Sequence, residues 1–135
     1  LKPRRFATND KHDPNDRIIY EEDEEVAEMY FIMKGKLGIG INTYGNLADK
    51  FEIGQIFSDK QLICDFYVLY NRKSNFNYFA LTDIHCYGLS KKYLSELFET
   101  YIEYSNFMKF ESLRWYKSKV FNPMQKYKER HVEQR

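Results

Sequence analysis

Cysteine is scarce in this chain, charge of one sign does not dominate, and no long apolar run occurs. Only two cysteines, Cys64 and Cys86, stand among 135 residues. Two thiols do not make a disulfide framework, and neither has the spacing of a metal site. Reduced, buried thiols of a cytosolic domain are the expectation. The three histidines, His12, His85 and His131, fall in a loop, a strand and a tail. No Ser-His-Asp, Cys-His or metal-ligand arrangement is visible, so an enzyme is the weakest reading. His85 and Cys86 are neighbours on a strand and point to opposite faces, a poor start for a metal site. No apolar stretch approaches the ~20 residues of a bilayer span. No apolar segment follows a basic start, so no signal peptide is visible. The chain opens on Leu1 rather than Met and is expected to be a piece of a longer protein. With 21 Lys and Arg against 20 Asp and Glu, the net charge is +1. That excludes the strong field of a nucleic-acid binder, and direct membrane insertion by this domain is not expected either.

What is present fits one domain. Hydrophobic residues make up 43% and aromatics 18%, enough for a modest core. Leu1 to Asp16 is polar, broken by Pro3 and Pro14, and reads as irregular chain entering the fold. The run Glu21 to Glu25 lacks the glycine and spaced ligands of a calcium loop and reads as a solvated turn. Met29 to Met33 suits a buried strand, and Lys34-Gly35-Lys36 a turn. Leu37, Ile39 and Ile41 alternate with Gly38, Gly40 and Asn42, the period of a half-buried strand. Asn42 to Asn46 reads as a second turn, and Phe51 to Gly54 as a short strand and turn. The stretch from Gln55 to Cys64 leaves room for a short helix. Phe76 to Leu81 and Ile84 to Leu89 return to strand.

After Leu89 the period changes. Ser90 suits an N-cap. Leu94, Leu97, Phe98 and Tyr101 share one face of a helix, as do Phe110, Leu113, Tyr116 and Val120 of a second, from about Ser105 to Phe121. Pro123 is expected to end or kink it. The expected fold is α+β: an antiparallel β-roll over residues 17–89, jelly-roll-like, then two helices over 90–121 and a charged, frayed tail over 122–135.

Ile19-Tyr20-Glu21-Glu22, Met29-Tyr30-Phe31-Ile32 with Gly35, Ala80-Leu81-Thr82-Asp83 and Leu89-Ser90-Lys91-Lys92, in this order before two helices, resemble a cyclic-nucleotide-binding domain. The stretch is most similar to the cytoplasmic C-terminal domains of hyperpolarization-activated and ether-à-go-go-type cation channels. A glycine usual in the family's first turn is replaced by Asp23. The family's phosphate-binding cassette reads Phe-Gly-Glu, then an Arg, then small or β-branched residues. Its backbone N–H groups and Arg neutralise the cyclic phosphate, and its Glu accepts from the ribose. Anchored on Ala80, the match is Ile63-Cys64-Asp65; an alternative anchor on Gly54 gives Phe57-Ser58-Asp59. On the first register Cys64 replaces the glycine, Asp65 is one methylene short of the Glu, and Ser74 stands in the arginine's place, with Asn75 after it. Losing one partner of a buried charge pair costs about 2–5 kcal/mol, so a native-like nucleotide site is not expected. Arg72 lies two residues before Ser74 and offers a rerouted phosphate contact.

The resemblance implies a regulatory domain rather than an enzyme. One reading is a ligand-insensitive gating module of a potassium-type cation channel, its pocket filled by its own C-terminal segment, through Tyr127 or an aromatic beside Trp115. Another is a working cAMP or cGMP sensor, with Arg114, Trp115 and Lys117 of the last helix as lid contacts. The implied partners are the rest of a tetrameric parent channel and its linker. The implied place is the cytoplasmic side of a membrane.

Overall fold

Short apolar segments separated by turns fold into two four-stranded antiparallel sheets in the computed structural model, which describes residues 2–7, 17–41 and 53–133. The strands are β1 (Lys2–Phe6), β2 (Ile18–Tyr20), β3 (Glu28–Lys34), β4 (Leu37–Gly40), β5 (Gln55–Phe57), β6 (Leu62–Ile63), β7 (Asn77–Ala80) and β8 (Ile84–Ser90). One sheet has the order β1-β8-β3-β6, the other β2-β7-β4-β5. Their inner faces meet in a core that includes Met29, Ile32, Leu37, Ile39, Phe76 and Ile84, each at most 1% exposed. This is an antiparallel β-roll. The helices are α1 (Asp65–Leu69), set between β6 and β7, then α2 (Lys91–Thr100), α3 (Ile102–Tyr116) and α4 (Asn122–Glu133).

Several expectations change. Lys2–Phe6, read as irregular, is a strand paired with β8. It is an edge strand, where Pro3 costs no central ladder bond. Its polar residues carry no alternation to betray it; the ladder and the Arg4–Glu28 ion pair at 2.9 Å hold it. Strand β3 is buried at Met29, Tyr30 and Ile32 but not throughout, with Phe31 and Met33 exposed. Gln55 to Cys64 holds two short strands and no helix; the helix begins one residue later. The turn at Asn42–Asn46 and the strand at Phe51-Glu52 lie outside the described residues. Gly35 turns β3 into β4 at φ +121°, and a Cβ there would sit 2.4 Å from the Asp83 carbonyl oxygen.

The Ser90 side chain caps α2 by accepting from the Tyr93 N–H at 3.1 Å. The face of α3 that meets the roll carries Ser105, Ser112 and Tyr116. Phe110, expected there, is 61% exposed. Small serines allow close approach, and the helix turns its phenylalanines outward.

Of the tail expected to be frayed, residues 122–133 are helical. A π-helical turn, Lys117–Phe121, carries α3 straight into α4. Pro123 has no N–H for the carbonyl one α-helical turn back, that of Lys119. Gln55 Nε2 donates to that carbonyl instead, at 3.0 Å. Met124 is fully buried against Gly54, where a Cβ would lie 2.6 Å from its Sδ. Lys128 Nζ stands 5.1 Å from the centre of the Phe76 ring.

Candidate functional site

Ile63, Cys64 and Asp65, the expected match to the cassette, lie where β6 meets α1. Cys64 takes φ +66°, the left-handed conformation that favours glycine, and caps a helix of five residues. Burial pushes its thiol well above the ordinary range, helped by the neighbouring Asp65 charge, so it stays protonated and unreactive. Asp23, in the turn between β2 and β3, has φ +68°. Its N–H donates to the Ser74 carbonyl at 2.7 Å, and the Ser74 N–H donates to the Glu24 carbonyl at 3.0 Å. The side chains of Glu21, Asp23, Glu24 and Glu25 are exposed, as expected of a solvated turn, while its backbone is stitched to the segment before β7. Glu22 N–H likewise donates to Asn77 Oδ1.

Ser74 is fully buried, and its hydroxyl donates to the Phe76 carbonyl at 2.7 Å. That proton is spent inside the protein. Asn75 is exposed, yet its Nδ2 donates to the Tyr116 hydroxyl at 2.7 Å. Arg72 is exposed, and its N–H closes the turn on the Tyr67 carbonyl. Asp65 is buried beside Ser112 of α3.

Between these residues lies a cluster that the sequence did not single out as a site. Tyr67 of α1, Tyr78 of β7 and Tyr116 of α3 are all buried. The Tyr67 hydroxyl is 2.7 Å from that of Tyr78 and 3.1 Å from that of Tyr116. Phe66 stacks on Tyr116 with centroids 4.0 Å apart and planes 15° apart. Burial raises all three phenols above their ordinary range. Of the three lid residues, Trp115 is half-buried on Phe57, with centroids 5.1 Å apart, while Arg114 and Lys117 are exposed. Tyr127 is partly buried against the core, beside Gly54. A cavity of about 360 Å³ opens between β6, α1 and α3, walled by Leu62, Leu69, Met108 and Ser112 together with two of the expected site residues, Asp65 and Trp115. Among the described residues no group of three His, Cys, Asp or Glu could hold a metal, and no helix is long and apolar enough to cross a membrane.

Desolvation by burial raises the Asp65 pKa above that of a free aspartate. A carboxyl that binds its proton more tightly when folded stabilises the fold below its unfolded pKa, about 3.9. That contribution is lost as pH rises through the folded value. Asp65→Asn is therefore expected to raise the melting temperature at neutral pH, and the gain should vanish on acidification below the ordinary aspartate range. Melting curves of the two proteins across pH check this.

The likenesses to known proteins agree with this geometry. The model of the cyclic nucleotide-binding domain family matches residues 11–101. No curated protein matches the chain. Among solved structures, the C-linker/CNBHD of zELK channels, crystallized in the presence of cAMP, superposes with a TM-score of 0.65 at 19% identity, over 84% of this chain and 51% of that one. The c-di-GMP responsive global regulator CLP of Xanthomonas campestris gives 0.66 at 14% identity, over 95% and 57%. The cAMP-bound form of the EAL enzyme Bd1971 gives 0.58 at 14% identity, over 98% and 33%. This chain thus spans between a third and somewhat more than half of those proteins. At such identities the superpositions show the β-roll and its C-terminal helices alone. The family match covers most of the chain, including the turn held by Asp23 and the cassette capped by Cys64, and with the roll around them it shows that the chain belongs to the cyclic nucleotide-binding domain family.

Proposed function

We propose that this chain is a regulatory, non-catalytic domain on the cytoplasmic side of a membrane, part of a cation channel of the potassium type, and that it binds cyclic nucleotide weakly or not at all. The single observation behind the loss of binding is the tyrosine cluster. Three hydrogen-bonded phenols and Asn75 fill the space next to the cassette. The arginine position holds a buried serine whose hydroxyl is already committed. In this reading Tyr116 of α3, the aromatic beside Trp115, is the internal substitute for a ligand, and Tyr127 is not needed for it.

The likeness to the zELK channel domain supports the channel setting. The domain would act mechanically, as a rigid unit packed on a linker of a tetrameric parent. A ligand shifts such an equilibrium only by binding one state better than the other. With the pocket self-filled, the coupling is set by the parent's own contacts. Isothermal titration of cAMP and cGMP, alongside Arg72→Ala, tests this. No saturable heat at millimolar ligand is the expected result. Saturable binding that Arg72→Ala removes would replace this reading with a second-messenger sensor that uses a rerouted phosphate contact.

A further inference from the structure

Opposite its buried face, α3 presents Glu103, Phe107, Phe110 and Arg114. Their spacing of i, i+4, i+7 and i+11 makes one straight stripe along the helix. All four are exposed, Phe107 at 63% and Phe110 at 61%. Tyr104 flanks the stripe and is 64% exposed. Two unpaired phenylalanines at the centre of a solvent-facing helix are more than a scattered apolar surface residue. The ends of the stripe carry opposite charges.

We infer that this stripe pairs with the same stripe of a second copy of the chain, the two α3 helices running antiparallel. The order acid, Phe, Phe, base is self-complementary only in that sense. A two-fold axis between Met108 and Lys109 sets Phe107 opposite Phe110 of the second copy, and Glu103 opposite its Arg114. The same register sets Tyr104 opposite Leu113. A parallel pair would instead set Glu103 against Glu103 and Arg114 against Arg114. An unrelated partner would require no such palindrome, so the second copy is the occupant that the pattern specifies. A fully covered aromatic buries roughly 150–250 Å². Four phenylalanines with their flanks therefore make a contact below about 1,200 Å², the size of a weak association. The inference does not rest on the channel reading.

Sedimentation equilibrium of the whole chain over a wide concentration range is the test. A monomer–dimer equilibrium is expected. Glu103→Arg should weaken dimerisation about tenfold, since both exposed ion pairs become repulsions. The double reversal Glu103→Arg with Arg114→Glu should restore it. Phe110→Ala should leave a folded monomer with an unchanged circular dichroism spectrum, since the side chain touches little of its own domain. A monomer at every concentration overturns the inference and leaves the stripe to another protein or a lipid surface. A dimer that the single reversal leaves unchanged, or that the double reversal does not rescue, overturns the antiparallel seam.

Discussion

Ser74→Arg is expected to bring the domain close to unfolding, and not to create a phosphate site. On the family pattern this is the substitution that restores the missing cation. Here Ser74 is fully buried and held on three sides: its N–H by the Glu24 carbonyl, its carbonyl by the Asp23 N–H, its hydroxyl by the Phe76 carbonyl. A guanidinium in that place meets no phosphate, and Asn75 and the tyrosines already occupy the neighbouring space. An uncompensated buried charge costs about 3–5 kcal/mol, and overfilling a packed interior adds about 1–3 kcal/mol. The sum is comparable to the whole stability of a typical domain, about 5–15 kcal/mol. Ser74→Ala is the control. It loses one hydrogen bond, so about 0.5–1.5 kcal/mol is expected. Urea unfolding of both variants, with and without cAMP, checks the difference. A well-folded Ser74→Arg protein that cAMP stabilises saturably would mean that the space is open and that only the cation was missing.

Why the roll was legible and the site only half so follows from particular residues. Leu37, Ile39 and Ile41 alternate with smaller residues, and that period marks the strand, although Gly38 and Gly40 are buried too, so β4 is covered on both faces and not half-buried as expected. Ser90 announced the end of the roll because a cap is a local chemical event. The cassette register rests on its spacing to Ala80 and remains an expectation; Asp23 and Cys64, set where the family usually has glycine, hold left-handed conformations, as do Lys60 and Asn71. The tyrosine cluster was not legible. Tyr67, Tyr78 and Tyr116 are far apart in the chain, and a buried tyrosine looks like any core aromatic until its hydroxyl partner is known. The charged tail misled for a related reason. Its composition is polar, but a single buried residue, Met124, docks it against Gly54. Composition averages over a helix, whereas docking depends on one face of it. Phe110 misled in the opposite sense, since an apolar stripe indicates burial without naming what buries it.

Tyr116→Ala should cost about 3–5 kcal/mol, the range for emptying a buried aromatic position, and Tyr116→Phe far less. The ring is 5% exposed and lies in a stack with Phe66, so most of its contribution is packing that phenylalanine keeps. Losing the hydroxyl frees Asn75, which is exposed and can turn to water, and leaves Tyr67 bonded to Tyr78. About 1 kcal/mol is expected for that change. The alkaline limb should separate the two effects. Each of the three phenols has a raised pKa when folded, so the neutral forms stabilise the fold fully below the unfolded tyrosine value, about 10. That stabilisation is lost as pH rises beyond it. Tyr116→Phe removes one of the three groups, and its stability should fall less steeply above that pH. The vacated space in Tyr116→Ala also offers a direct test of self-filling. A pocket shaped for a ring should accept a free one, and a ligand that binds only the native state raises stability by mass action. Phenol should therefore recover part of the lost melting temperature in Tyr116→Ala and do nothing to the parent protein, whereas cAMP should rescue neither. Rescue of Tyr116→Ala alone by cAMP would show that the ring had been occupying a working nucleotide site, whereas equal effects of cAMP or of phenol on both proteins would show that Tyr116 is ordinary core and that the ligand site lies elsewhere.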